Sequence, residues 1–213
     1  MHNSLTSVAF AGATALLLMV RTEPALAPAE PALAACVPLT EETPAEPAAA
    51  ALDPVQRALV EYLSRRFTIA GEATERVVEA AYRAGEEVGL DPLLLLAMIS
   101  VESRFNPFAE SATGAKGLMQ IIPRYHLETL AALGGAEVVL EPEANIFAGA
   151  QILQQYVYRT GTLEAGLQSY NGAKSDGSAL YAQRVFTERA RIEQAVLPSL
   201  RRAQLALNNS KGS

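Results

Sequence analysis

The sequence predicts a mainly α protein preceded by an extended N-terminal segment. Apolar residues recur at helical spacing from Asp53 onward, and Pro, Gly and Asn cut that stretch into pieces of helix length. Seven of the twelve prolines crowd between Pro24 and Pro54, where little can be buried. A convincing strand alternation is missing, apart from the short "AEVVLEP" that starts at Ala136. At 213 residues the chain has room for one domain with extensions.

The elements follow in order. Residues 5–20, "LTSVAFAGATALLLMV", are short for a membrane span and suit the apolar region of a signal, so 1–27 reads as a signal peptide or an uncleaved signal anchor. Export to the periplasm or cell envelope follows from that reading. "LAAC", ending at Cys36, has the residue types of a bacterial lipobox but is separated from the apolar run by "RTEPALAPAEP". Lipidation of Cys36 and an inert cysteine both stand. Residues 28–52, rich in Pro, Ala and Glu, read as a disordered linker.

A globular unit is expected over 53–198, with a tail at 199–213. Asp53 and Pro54 form a helix start signal, and Val55, Leu59, Tyr62 and Leu63 keep helical spacing behind them. A second helix is expected from about Thr74 to Val88, stopped by Gly89. Asp91-Pro92 repeats the start signal for a third, which ends by Phe105 before Asn106-Pro107. Further helices are expected over 117–132, 145–160, 162–170 and 178–195, with Asn145 as a helix cap.

Composition narrows the chemistry. The net charge is −6 and no basic footprint appears, which argues against nucleic acid as a partner. Cys36 is the one cysteine, so internal disulfides and cysteine metal clusters are excluded. Only His2 and His126 are histidines, which disfavours His-dependent triads and most zinc sites; His126 is given no role. No cofactor is called for.

Attention falls on "ISVESRFNPFAESATGAKGLMQIIP", Ile99 to Pro123. Glu102 closes an apolar helix, sharing a face with Leu95, Met98 and Ile99. Burial and the negative end of the helix dipole both disfavour its charge, so its pKa should rise, as a general acid requires. Gly114 and Gly117 let the following loop turn tightly. Gln120, an amide among Leu118, Met119, Ile121 and Ile122, either reads sugar groups or braces the loop.

Four stretches then resemble, in order, the soluble lytic transglycosylase (SLT) family, whose catalytic domain is like goose-type lysozyme. They are "DPLLLLAMISVESRFNPFAESATGAKGLMQIIP", "EPEANIFAGAQIL", "LQSYNGA" and "YAQRVF", within about 75–190. The chain departs from the family pattern at Ile122, where Met is common, and at Gly172-Ala173, where the order is usually reversed. The resemblance implies a compact lysozyme-like helical domain. It also implies Glu102 as catalytic acid/base with Ser103 beside it, and Ser111 and Gln120 lining a glycan cleft. Tyr170 would lie over the centre, Asn171 would support its loop, and Tyr181 would form a wall.

The activity implied is non-hydrolytic cleavage of the β-1,4 linkage between N-acetylmuramic acid and N-acetylglucosamine, leaving 1,6-anhydromuramyl ends. Peptidoglycan glycan strands are the implied partner, with a secretion-system or other envelope complex as a further one, and the chain is expected to act as a monomer. Two rivals stand beside it: a hydrolytic muramidase on the same fold, and a non-catalytic glycan-binding assembly protein.

Overall fold

A computed structural model describes residues 52–172 and 179–210, all within the compact unit Ala49–Ser213. The signal, the linker and Cys36 lie outside the described residues. Seven α-helices are described: α1 Pro54–Phe67, α2 Gly71–Val88, α3 Pro92–Glu102, α4 Leu127–Ala132, α5 Pro142–Thr160, α6 Leu163–Tyr170 and α7 Leu180–Ser210. Among the described residues the only β-pairing is two isolated bridges, Glu110 with Lys116 and Lys116 with Ile121. The fold is mainly α.

Local chemistry starts these helices where the sequence places them. Asp53 accepts hydrogen bonds from the amides of Val55 (2.7 Å) and Gln56 (2.8 Å), while the Gln56 side chain accepts from the Asp53 amide (3.1 Å). This reciprocal cap satisfies amides that have no partner inside α1. Asp91 caps α3 through the Leu93 amide (2.9 Å), and its other oxygen takes the Arg189 Nε at 2.5 Å, fastening α7 to the start of α3. Gly89 ends α2 as expected.

Leu94 to Ser100 are consecutively buried, so α3 has no solvent face for those two turns. A helix apolar all round belongs at the centre of a bundle. Helices α2 and α7 pack on it, α1 lies against both of them, and α5 packs on α2 and α6. Each large apolar side chain withdrawn from water there stabilises the fold by about 1.5–3 kcal/mol. Buried Glu188 of α7 is met by Arg66 of α1 at 2.5 Å and by Arg191 at 2.9 Å, which compensates its desolvation.

Four expectations are corrected. The stretch 117–132 is not one helix: residues 117–122 form a bridged loop, a 3-10 turn follows at Pro123–Tyr125, and only α4 is α-helical. Gly117 (φ +75°) and Gln120 (φ +49°) take left-handed conformations that interrupt a right-handed helix. "AEVVL" is a 3-10 helix, Ala136–Leu140, without a strand to pair with among the described residues. Asn145 is no cap: Glu141 occupies that position, and Asn145 lies wholly buried in α5. Finally, α7 runs on through Pro198 to Ser210, well beyond the 195 expected.

Candidate active site

Glu102 is the last residue of α3, half-buried, and reaches the first turn of α7. There the Tyr181 hydroxyl donates to its Oε1 at 2.5 Å. Burial pushes the Glu102 carboxyl above its ordinary value; the Tyr181 hydrogen bond and the charge of Arg184 act the other way and do not cancel it. The phenols of Tyr181 and Tyr170 are both pushed well up, first by burial and then by the Glu102 charge, so both keep their protons. The carboxyl thus accepts from one phenol in poorly solvated surroundings.

The two tyrosines make different contacts. Tyr181, expected in a wall, is the phenol bonded to Glu102. Tyr170, expected over the centre, donates to the carbonyl of Met119 at 2.8 Å and packs edge-on against Tyr156. It ties the end of α6 to the loop after α3. Tyr170 is still near enough for the Glu102 charge to raise it.

That loop is built from constrained backbone. Arg104 and Phe105, directly after the Glu102-Ser103 pair, have φ of +54° and +64°. Left-handed backbone at non-glycine residues is held only where its surroundings enforce it. Here the Phe105 ring is buried and packs on Phe67 at 4.8 Å. Gly117 has no such choice: a Cβ would come within 2.4 Å of Asn145 Nδ2 and 2.5 Å of the Val139 carbonyl.

Other expected site residues face their own backbone. Ser103 is buried and donates to the Ile99 carbonyl at 3.2 Å. Ser111 Oγ accepts from the Ala115 amide at 3.0 Å and meets Thr113 Oγ1 at 3.0 Å. Gln120 Nε2 donates to the carbonyls of Ala109 and Gly117, both at 3.0 Å, which is the loop-bracing arrangement. Asn171 is exposed at the end of α6. Thus Glu102, Tyr170 and Tyr181 converge, while the other four bond locally or lie exposed.

Three further residues organise the site. Asn145 accepts from the Met119 amide (2.7 Å) and donates to the carbonyls of Val139 (2.8 Å) and Lys116 (3.1 Å), replacing the bonds a helix would have made. Gln168 accepts from the Ala182 amide at 3.0 Å, holding the first turn of α7 beside α6. Arg184 draws on the Glu102 carboxyl electrostatically. A buried amide in an apolar helix, as in "EANIFAGA", was the legible signal for Asn145. Arg184 carries none. Among the described residues no cluster of three or more His, Cys, Asp or Glu is placed to hold a metal.

A family model described as the transglycosylase SLT domain matches residues 79–187, half of the chain, and encloses every element of this site. The chain belongs to the SLT domain family. The SLT domain here is 33% identical over 95 residues to the transglycosylase of Enterobacteria phage PRD1, covering 45% of this chain and 34% of that protein. It is 27% identical over 107 residues to the membrane-bound lytic murein transglycosylase C of Histophilus somni, covering 47% and 29%.

The chain therefore matches about a third or less of the length of these curated relatives. The lytic transglycosylase Slt of Pseudomonas aeruginosa, solved as an inactive mutant, superposes with a TM-score of 0.49 at 22% identity, covering 55% of this chain and 24% of that one. No described helix of the SLT domain is long and apolar enough to cross a membrane.

Proposed function

We propose that this SLT domain is a peptidoglycan lytic transglycosylase in which Glu102 serves first as general acid and then as general base. One observation carries the reading: a half-buried carboxyl, raised above its ordinary value, is held at 2.5 Å by a phenol that keeps its proton. Glu102 protonates the glycosidic oxygen between N-acetylmuramic acid and N-acetylglucosamine, and the C1–O bond breaks. The substrate acetamido group stabilises C1. The muramyl 6-hydroxyl then attacks C1, and its proton returns to Glu102.

The product is a 1,6-anhydromuramyl end, formed without consuming water. Glycosidases that rely on two carboxylates hold them about 5–10 Å apart. The single-acid cycle is the reading the SLT signature supports, since its motifs supply Glu102 alone. Action at the cell wall, with the N-terminal segment as signal or anchor, agrees with the murein and membrane-bound names its relatives carry.

Digestion of purified sacculi followed by muropeptide mass analysis tests this. Anhydro ends from the native chain, and none from Glu102→Gln, support the reading. Reducing ends would make it a hydrolytic muramidase. Undiminished cleavage by Glu102→Gln would remove the carboxyl from the chemistry.

A further inference from the structure

Gln168 lies in α6 two residues before Tyr170, only 7% exposed and flanked by buried Leu167 and Ser169. Its Oε1 accepts from the Ala182 amide at 3.0 Å, while its Nε2 has no partner among the described residues. Turning the amide round brings no relief, because Nε2 would then face the Ala182 N–H, donor against donor. One bond is made and one buried donor is orphaned, so the side chain adds little net stability. An unbranched apolar residue would fill the same space without the orphan. It could not hold the Ala182 amide.

That amide needs a partner from outside its own helix. Ala182 is the third residue of α7, within the first turn, where N–H groups have no intrahelical acceptor. A Ser, Thr, Asp or Asn just before a helix commonly meets such amides. Here that residue is Ala179, left-handed at φ +50° and without a side-chain oxygen. Gln168 does the capping from another helix. Next to Ala182 stands Tyr181, whose hydroxyl reaches Glu102 at 2.5 Å. A hydrogen bond at this short limit tolerates little displacement of the helix that carries it.

Helix α6 is a firm base for the tether. A Cβ on Gly166 would meet Val157 Cγ2 at 2.6 Å and the Val157 backbone at 3.0 Å, so α6 lies directly against α5. Tyr170, at the C-terminal end of α6, binds the Met119 carbonyl. The end of α6 therefore fixes both phenols, one as its own residue and the other across the Gln168–Ala182 bond.

We infer that Gln168 is a positioning residue for the Glu102 reaction: its bond to the Ala182 amide sets where the Tyr181 hydroxyl stands against the carboxyl. This rests on the proposed function, in which Glu102 is the acid. In this role Gln168 touches no substrate atom and acts only through Tyr181. Its loss therefore lowers turnover rather than binding, and matters only while the phenol is present.

A double-mutant cycle on soluble, uncross-linked peptidoglycan strands tests this, with Gln168→Met placed in the full chain and in Tyr181→Phe. Met keeps the length of the side chain and removes both the acceptor and the orphaned donor. Gln168→Met should lower kcat about tenfold, with KM changed less than about twofold and the melting temperature close to that of the native chain. In Tyr181→Phe the same substitution should cost less than about twofold, because no phenol is left to place. An ester at Ala182, which removes the N–H and keeps the methyl group, should reproduce the kcat loss with Gln168 intact.

Equal losses in the two backgrounds overturn the inference, as does an unimpaired Gln168→Met or an unimpaired ester. A loss confined to KM makes Gln168 a substrate contact, and an unfolded Gln168→Met makes it a structural tie; either result also overturns it. Undiminished cleavage by Glu102→Gln, run alongside, would remove the proposed function. An inactive Glu102→Gln together with equal losses in the cycle sinks only this inference.

Discussion

The hydroxyl of Tyr181 lies 2.5 Å from Oε1 of Glu102, joining residues 79 apart in the chain at the meeting of α3 and α7. Burial favours the neutral acid, and this bond favours the carboxylate; burial prevails. The proton of Glu102 is therefore set by two opposed influences that substitution can separate.

Replacing Tyr181 with Phe removes the influence that favours the charged form. Glu102 then rises further, and the basic limb of the pH–kcat/KM profile moves to higher pH. The rate falls by about tenfold or more, the effect of losing a hydrogen bond to a charged group. Tyr170→Phe instead loses the bond to the Met119 carbonyl, so it lowers stability by about 1 kcal/mol without a comparable shift of the limb. Parallel pH profiles of the two variants check this; equal shifts would contradict the division of tasks between the phenols.

Glu102→Gln bears on stability as well as activity. The folded carboxyl lies above its ordinary value of 4.5, so between that value and the raised one the folded state binds more protons than the unfolded. Stability drawn from the neutral acid is complete below about 4.5 and is lost as pH rises through the folded value. Unfolding by urea across this window should show the native chain weakening with rising pH. The Gln variant should lack that component and be at least as stable at neutral pH.

Asn145→Ala leaves two buried partners without their bonds to it, the Met119 amide and the Val139 carbonyl, whereas the part-buried Lys116 carbonyl still accepts from the Ile121 amide. An orphaned buried group costs about 1–3 kcal/mol, so a loss of about 3 kcal/mol is expected in chemical denaturation. Activity should fall with it, because the Met119 carbonyl is the anchor of Tyr170. Asn145→Asp, which keeps the acceptor and loses the donors, should fall between the two.

Gly117→Ala combines a left-handed φ of +75° with a Cβ within 2.5 Å of the Val139 carbonyl. The neighbouring atoms are backbone and a fully bonded amide, so they have little room to yield. A destabilisation of about 2–4 kcal/mol is expected from the strain and the crowding together, read as a drop in melting temperature.

The helix starts were legible because capping is local. Asp53 with Gln56, and Asp91 with Leu93, lie within three residues of each other and need no tertiary context. The acid was legible too: a carboxyl ending an apolar helix is conspicuous, and its elevation follows from burial. The bridged loop at 117–122 was misread as helix because Leu118, Met119 and Ile121 keep helical spacing. Asn145, more than twenty residues away, satisfies the backbone that a helix would otherwise have had to satisfy.

The sequence by itself determined the helical segmentation, the single acid at the end of the buried helix, and membership of its family through ordered motifs. Only the tertiary structure decided that Tyr181 rather than Tyr170 meets Glu102, that Asn145 holds the loop, and that four arginines from α1, α7 and the loop after α3 share one recess. Caps and periodicity are set by neighbours along the chain. Which phenol or guanidinium reaches a given carboxyl depends on how helices distant in sequence pack.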